Sequence, residues 1–271
     1  MNIYEFKDSL VRAISANEKV LGIGQTGDIQ APLVAGQSDI DLFVICTEIP
    51  TPQERIALYR LLISDETKVH MNVSNGGLWG FGDILDFQCI DVMPMYFTVV
   101  EMRAYLEDVL QGNHLERVGR FYPIGRLASI ETLNILYEKE HTWTTIVDRV
   151  KEYPEDLFRA WCQVQSVQIL DEEDISRVIL RKEILFYHQV LEEAIDHMLQ
   201  ALYAINRRYF PSRKRTEQTI QTFQYTPEDF VIRLRSIINK SVSEAEVAES
   251  VAELRMLTKD IIMLGKLRFL L

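Results

Sequence analysis

LGIGQTGDIQAPLVAGQSDIDLFVIC, residues 21–46, contains the pattern that predicts the fold of this chain. Its two ends are apolar in the manner of β-strands, and Gly27 marks a turn between them. The second strand opens with Asp39 and Asp41, which are two residues apart and so project from the same strand face. Two carboxylates held this close repel each other unless a cation lies between them. The stretch predicts adjacent strands with a cation site, and the alternative is a solvated acidic pair at a strand start.

Strand and helix patterns alternate along the first 112 residues. Residues 3–16 and 51–64 have the apolar spacing of amphipathic helices. Residues 68–74 and 86–97 have the pattern of strands, and the second of these carries a third carboxylate, Asp91, between apolar neighbours.

Helical periodicity dominates after residue 112, most clearly over residues 181–206 and 242–271. The fold class is therefore predicted to be α+β. Residues 1–120 would form a domain with a mixed β-sheet flanked by helices, and residues 121–271 an all-helical bundle domain. We expect the two to be packed together with a cleft between them.

The composition is that of a folded globular protein, with 47% hydrophobic and 25% charged residues among 271. No apolar run approaches the roughly 20 residues of a membrane span, and the first residues lack the apolar segment of a secretory signal. We therefore expect no membrane partner and a cytoplasmic location. Cys46, Cys89 and Cys162 are odd in number and lie in apolar contexts, which favours buried thiols over disulfides or a zinc site.

The formal net charge of −11 argues against a protein that grips a nucleic-acid backbone, because such binding is supplied by a surplus of lysine and arginine. No nucleic-acid partner is expected. The charge also suits a cationic small substrate, but only weakly, because solubility is the commoner reason for an acidic composition.

The order of features in residues 21–46 resembles the signature of the nucleotidyltransferase superfamily, which has the DNA polymerase β-like fold. In that family a Gly-Ser turn precedes an Asp-x-Asp motif on the next strand. Here Gly27 and Asp28 occupy the turn, and ten residues separate them from Asp39. Asp91 fits the third acid of such enzymes. The C-terminal half is similar to the helical domain of aminoglycoside-type nucleotidyltransferases.

The resemblance implies transfer of a nucleoside monophosphate, most simply AMP from ATP, to a hydroxyl of a small-molecule acceptor. Asp39, Asp41 and Asp91 would be the catalytic residues and the ligands of Mg²⁺. The acceptor would be an aminoglycoside-like cation, and the protein a monomer or a homodimer. The expected partners are the nucleotide and this acceptor.

The residues expected to bind the nucleotide surround the same motif, with one addition from the helical half: Thr26, Gly27, Asp28, Ser38 and Lys214. The turn would offer backbone N–H groups to the phosphates. Lys214 belongs to a basic cluster at residues 207–215, whose alternative interpretation is a solvated loop between helices. Trp79 in a glycine-rich loop could stack on a base or sugar, and the alternative is an ordinary packing role.

Asp28 is the departure from the family pattern. The family serine donates a hydroxyl to a phosphate oxygen, whereas an ionised Asp28 cannot donate and would repel the nucleotide. Either its side chain turns away and caps a nearby backbone N–H, or nucleotide binding is lost or altered. The second case would make this chain a catalytically degenerate protein with a nucleotide-sensing or protein-binding regulatory role.

Overall fold

The computed structural model describes residues 1–63, 65, 68–74, 80–119 and 121–270. Within these ranges, side chains are described except at residues 74, 162–168, 269 and 270. Trp79 and the side chain of Cys162, both considered above, lie outside the described residues.

The described strands form one mixed sheet with these bounds: β1 Val20–Gln25, β2 Asp39–Cys46, β3 Val69–Ser74, β4 Phe81–Phe87, β5 Ile90–Thr98 and β6 Asn134–Glu138. Their order across the sheet is β3-β4-β5-β2-β1-β6. Strands β2 and β5 are parallel, and the other neighbouring pairs are antiparallel. A parallel pair needs a long crossover, which here consists of a helix and the β3–β4 hairpin.

The helices have these bounds: α1 Ile3–Ser15, α2 Pro52–Tyr59, α3 Val99–Leu110, α4 Pro123–Glu131, α5 Thr142–Lys151, α6 Glu155–Gln168, α7 Glu172–Arg181, α8 Ile184–Ile205, α9 Thr216–Ile220, α10 Phe230–Lys240 and α11 Val247–Leu270. The start of α2 is fixed by a capping box between Thr51 and Glu54, with Pro52 in the first turn. The predicted α+β class is confirmed by this combination of a mixed sheet and a helical C-terminal region.

The chain divides into two compact units, each described here by itself. The N-terminal unit consists of Met1–Val109 and Asn113–Glu152, and the helical unit of Leu110–Gly112 and Tyr153–Leu271. The sequence places residues 121–271 in an all-helical domain, but Asn134–Glu138 forms strand β6 because it pairs with β1 at the sheet edge. The N-terminal unit therefore extends beyond the division proposed at residue 120.

One face of the sheet is closed by an apolar core. The apolar residues of α1, including Phe6 and Leu10, pack with Ile40, Leu42 and Val44 of β2. Because side chains alternate along a strand, Asp39, Asp41 and Phe43 belong to the opposite face. The acids of β2 thus lie on the face that α1 does not cover.

The opposite face is covered near its middle by residues of α5 and of the segment before β6. The Phe43 ring lies 5.4 Å from that of Phe97 and 6.4 Å from that of Trp143, measured between centroids. A Cβ atom at Gly24 would lie 2.4 Å from a Leu133 methyl carbon, so this close approach requires glycine. The glycines of β1 thus serve packing, apart from the turn that follows them.

The core of the helical unit is centred on α8, whose last two turns, from Met198 to Ile205, are buried. Buried hydroxyls add specific links: the Tyr187 hydroxyl bonds the Ser250 Oγ at 2.7 Å, and Ser250 donates to the Ile237 carbonyl. These bonds join α8, α10 and α11. In the described part of the chain, no helix has the length and apolar content needed to cross a membrane.

Candidate active site

The predicted catalytic acids lie on adjacent parallel strands. Asp39 at the start of β2 is the register partner of Asp91 in β5, and Asp41 is opposite Met93. Paired residues on neighbouring strands project from the same face, and Asp41 lies two residues beyond Asp39 on that face. Asp39 and Asp91 are exposed, and Asp41 is half-buried. The backbone therefore brings the three acids to the same end of two central strands, on one face of the sheet.

Asp86 extends this row and was not predicted. It is the register partner of Asp91 across the β4–β5 pair, so Asp39, Asp91 and Asp86 occupy one line across three strands. We name Asp39, Asp41, Asp86 and Asp91 the acid row. Like charges directly opposite each other in a sheet are destabilising, so the row concentrates negative charge at an energetic cost.

The row was missed because residues 86–97 were interpreted as one strand, which is wrong. The segment is a hairpin whose two-residue turn consists of Gln88 and Cys89, with φ of 56° and 59°. Such turns usually contain glycine, asparagine or aspartate, and this pair gives no such signal. Cys89 is exposed in the turn and Cys46 is buried, so the expectation of buried thiols is wrong for Cys89.

The chemistry of the row suits Mg²⁺, which prefers carboxylate oxygens and is commonly held by one or two carboxylates together with substrate phosphates. Among the residues that the structure describes, no group of three or more His, Cys, Asp or Glu side chains is arranged to hold a metal ion. The Asp39–Asp91 register pair supplies two carboxylates, so substrate phosphates would have to provide further ligands of such a metal. The metal-ligand role expected for Asp41 stays a prediction.

The predicted phosphate turn follows β1 directly. The Thr26 amide donates to the Asp41 carbonyl at 3.0 Å, which continues the β1–β2 ladder and places the turn beside the acids. Gly27 has φ of 84°, and among the residues that the structure describes, none besides its chain neighbours has an atom within 4 Å of the position that its Cβ would occupy. The turn therefore needs glycine for its conformation, and the space around that position is open.

Asp28 and Ser38 take part in local loop hydrogen bonds. The Asp28 Oδ1 accepts a hydrogen bond from the Gln30 amide at 3.1 Å. This carboxylate oxygen is therefore bonded to the backbone of its own loop. The Ser38 Oγ accepts from the Val34 amide at 2.9 Å, and the Ser38 amide donates to the Val34 carbonyl. Residues 34–38 thus form a compact turn that leads directly into Asp39.

The basic cluster of residues 207–215 lies in the helical unit, where two of its arginines are ion-paired. Arg207 bonds Glu155 at 2.7 Å, and Arg213 bonds Asp196 at 2.6 Å. Lys214 is exposed, and its amide donates to the Ser212 Oγ. Both arginines thus form ion pairs within the helical unit, and the nucleotide contact expected of Lys214 stays a prediction.

A buried charged network on the opposite side of the same sheet was also missed. Asp83 of β4 is completely buried and accepts from Arg55 Nε at 2.7 Å, Arg55 Nη2 at 3.2 Å, the Tyr59 hydroxyl at 2.8 Å and the Asn72 amide at 2.9 Å. The Tyr59 hydroxyl also lies 2.7 Å from that of Tyr96.

The electrostatics of this network keep its members in defined protonation states. Burial by itself lowers the pKa of Arg55, but the hydrogen bond and charge of Asp83 outweigh it, and the net shift is upward. Burial raises the pKa of Tyr59 and of Tyr96, so both hydroxyls stay protonated. The network ties α2 to β3, β4 and β5. No local signal in the sequence marked the network, because Arg55 follows Glu54 in α2 and Asp83 shares β4 with Asp86.

Comparison with known proteins gives one family match and several structural likenesses. Residues 122–216 match a family described as a domain of unknown function, DUF4037. This match spans less than half of the chain and brings no activity with it. No curated protein sequence matches this chain.

Three solved structures show a distant likeness. A nucleotidyltransferase-like protein from Exiguobacterium sibiricum has 12% identity and a TM-score of 0.41, over 99% of this chain and 78% of that one. An aminoglycoside 6-adenyltransferase from Bacillus subtilis has 12% identity and a TM-score of 0.34, over 99% and 92%. A spectinomycin adenyltransferase from Enterococcus faecialis has 12% identity and a TM-score of 0.33, over 96% and 99%. Likenesses at these values say nothing about the chemistry of this chain.

Proposed function

We propose that this protein is a Mg²⁺-dependent nucleotidyltransferase that transfers AMP from ATP to a hydroxyl of a small molecule. The observation that carries the proposal is the register pairing of Asp39 with Asp91, with Asp41 on the same strand face. A chain has little structural reason to place like charges opposite each other on one sheet face, because the pairing is destabilising. A cation bound between the carboxylates would offset that repulsion, so cation binding accounts for the position of these acids.

In the proposed reaction, the acceptor oxygen forms a bond to the α-phosphorus as the bond from that phosphorus to the β-phosphate oxygen breaks. Pyrophosphate leaves, and the acceptor proton passes to a carboxylate oxygen of Asp91. Asp39 and Asp41 would hold Mg²⁺ together with Asp91. When bound, the metal neutralises phosphate charge and lowers the pKa of the attacking hydroxyl.

The nucleotide contacts are proposed for Thr26, Gly27, Asp28, Ser38 and Lys214. The open space at Gly27 supports approach of a phosphate to the backbone there. The bond from the Gln30 amide to Asp28 Oδ1 supports a structural role for that side chain, in place of the phosphate contact of the family serine. Lys214 would contribute a positive charge to the triphosphate.

The acceptor is proposed to be a cationic molecule of the aminoglycoside type. The support is electrostatic: the net charge is −11, and the acid row adds local negative charge beside the proposed transfer site. Fold likeness does not identify an acceptor, so a panel of hydroxylated amines is the appropriate screen.

The competing proposal is a regulatory protein with a degenerate site, and Asp28 is the feature that favours it. The test is a thermal shift with Mg²⁺ and each NTP on wild type, Asp28→Ser and Asp39→Asn, because a ligand that binds the folded state raises the melting temperature. The proposal expects a rise for wild type and Asp28→Ser, reduced in Asp39→Asn. If neither wild type nor Asp28→Ser shows a shift with any NTP, the proposal that this protein is a nucleotidyltransferase is refuted. A shift confined to Asp28→Ser supports degeneration.

A further inference from the structure

The turn between β4 and β5 holds an unfavourable backbone conformation next to the acid row. Gln88 and Cys89 both have left-handed φ values, a conformation that is unfavourable for residues other than glycine. Asp86 offsets part of this cost, because its Oδ1 accepts from the Cys89 amide at 2.9 Å. The bond closes the turn that makes Asp86 and Asp91 register partners.

The same turn is attached to the loop that precedes β2. The Gly36 amide donates to the Cys89 carbonyl at 2.5 Å. Gly36 lies within the compact turn at residues 34–38, which leads directly into Asp39. Two hydrogen bonds that meet at Cys89 therefore link Asp86 to the loop that leads into β2.

We propose that Asp86 is a positioning residue for the Asp39–Asp91 pair. Its side chain fixes Cys89, and Cys89 fixes the loop before Asp39, so the two acids are held opposite each other before a cation binds. The positioning acts through the hydrogen bond that Asp86 accepts, and the charge of Asp86 beside Asp91 is a separate contribution to cation binding. This inference rests on the proposed function, in which Asp39 and Asp91 share a metal.

Two substitutions separate the hydrogen bond from the charge. Asp86→Asn removes the charge but keeps a side-chain oxygen that can accept the Cys89 N–H, whereas Asp86→Ala removes both. The matched control is Asp148→Ala in the same unit, because Asp148 is exposed and its carboxylate bonds the side chain of Lys151.

The experiment uses the full chain and two readouts. Amide hydrogen exchange at Cys89 and Gly36 reports the turn, and Mn²⁺ titration followed by electron paramagnetic resonance reports the metal site. In Asp86→Ala we expect exchange at both amides to accelerate about tenfold or more, the factor for a lost hydrogen bond to a charged group. We expect Mn²⁺ affinity to fall several-fold in the same variant. Asp86→Asn should keep exchange at both amides near wild type and lose less Mn²⁺ affinity than Asp86→Ala, because only the charge next to Asp91 is removed. The control should stay near wild type in both readouts.

Three outcomes overturn the inference or separate it from the proposed function. Unchanged exchange in Asp86→Ala refutes the positioning role. Equal losses of Mn²⁺ affinity in Asp86→Asn and Asp86→Ala, with exchange intact in Asp86→Asn, assign the effect to charge and also refute it. If wild type binds no Mn²⁺, the proposed metal chemistry fails, and accelerated exchange at Gly36 in Asp86→Ala still decides whether Asp86 holds the loop before Asp39.

Discussion

Removing the Asp83 carboxylate should strongly destabilise the N-terminal unit. In Asp83→Ala, four hydrogen bonds to the carboxylate disappear, and Arg55, whose exposed fraction is 3%, keeps its charge without its ionic partner. The bonds from Arg55 to the Pro50 carbonyl and to the Asn72 side chain remain, but neither carries a compensating charge.

The magnitude follows from the burial of the pair. Removing one partner of a buried ion pair typically costs about 3–5 kcal/mol, since the other charge stays desolvated. Asp83→Asn also leaves Arg55 without an ionic partner but keeps one side-chain acceptor oxygen, so we expect a loss near the lower end of this range, about 3 kcal/mol. The double variant Arg55→Met, Asp83→Leu should recover part of the loss seen in Asp83→Ala, because it leaves no uncompensated charge.

The assay is urea unfolding read by hydrogen exchange on peptides from β4 and β5. This reports the N-terminal unit separately, as a chain with two compact units need not unfold in one step. The matched control is Glu107→Ala, which breaks the ion pair with Arg149, in which both side chains are 47% exposed. Exposed pairs contribute about 1 kcal/mol or less. The reasoning is refuted if Asp83→Ala destabilises the unit no more than Glu107→Ala.

Two further predictions concern the acid row and the buried thiol. In the absence of metal, Asp91→Asn should raise the melting temperature by about 1–3 °C, because the repulsion between Asp91 and Asp39 is relieved. The same variant should bind Mn²⁺ more weakly than wild type. A lower melting temperature in metal-free calorimetry would contradict this. Burial raises the pKa of Cys46 from 9.0 to about 12. Since only the unfolded chain ionises this thiol in that range, its contribution to stability is complete below about pH 9 and declines toward about pH 12. Urea unfolding between about pH 9 and pH 12 should show that the free energy of unfolding falls less steeply with pH in Cys46→Ala than in wild type. Equal slopes in the two proteins would count against this contribution of Cys46.

The local signals in the sequence were sufficient where one segment determines its own structure. The apolar run in residues 39–46 gives strand β2. Thr51, Pro52 and Glu54 give the start of α2, because capping involves only neighbouring residues. The motif that places Asp39 and Asp41 on one strand face is local in the same sense. Each of these features could be predicted without knowledge of the rest of the chain.

Features that depend on pairing between distant segments could not be predicted in this way. The edge strand β6 was assigned to the helical region, since its five residues become a strand only by pairing with β1. Arg55 and Asp83 are ordinary charged residues in sequence, and only the tertiary structure buries them together. Strand register is likewise set by long-range pairing and turn geometry.

The acid row shows both contributions. The sequence by itself determined that Asp39 and Asp41 share a face and that Asp91 lies on another strand. Only the tertiary structure decided that Asp91 stands directly opposite Asp39, and that Asp86 completes the line through a turn with no glycine in it. The physical reason is that side-chain alternation is a property of one strand, whereas the alignment of two strands depends on the hydrogen bonds between them.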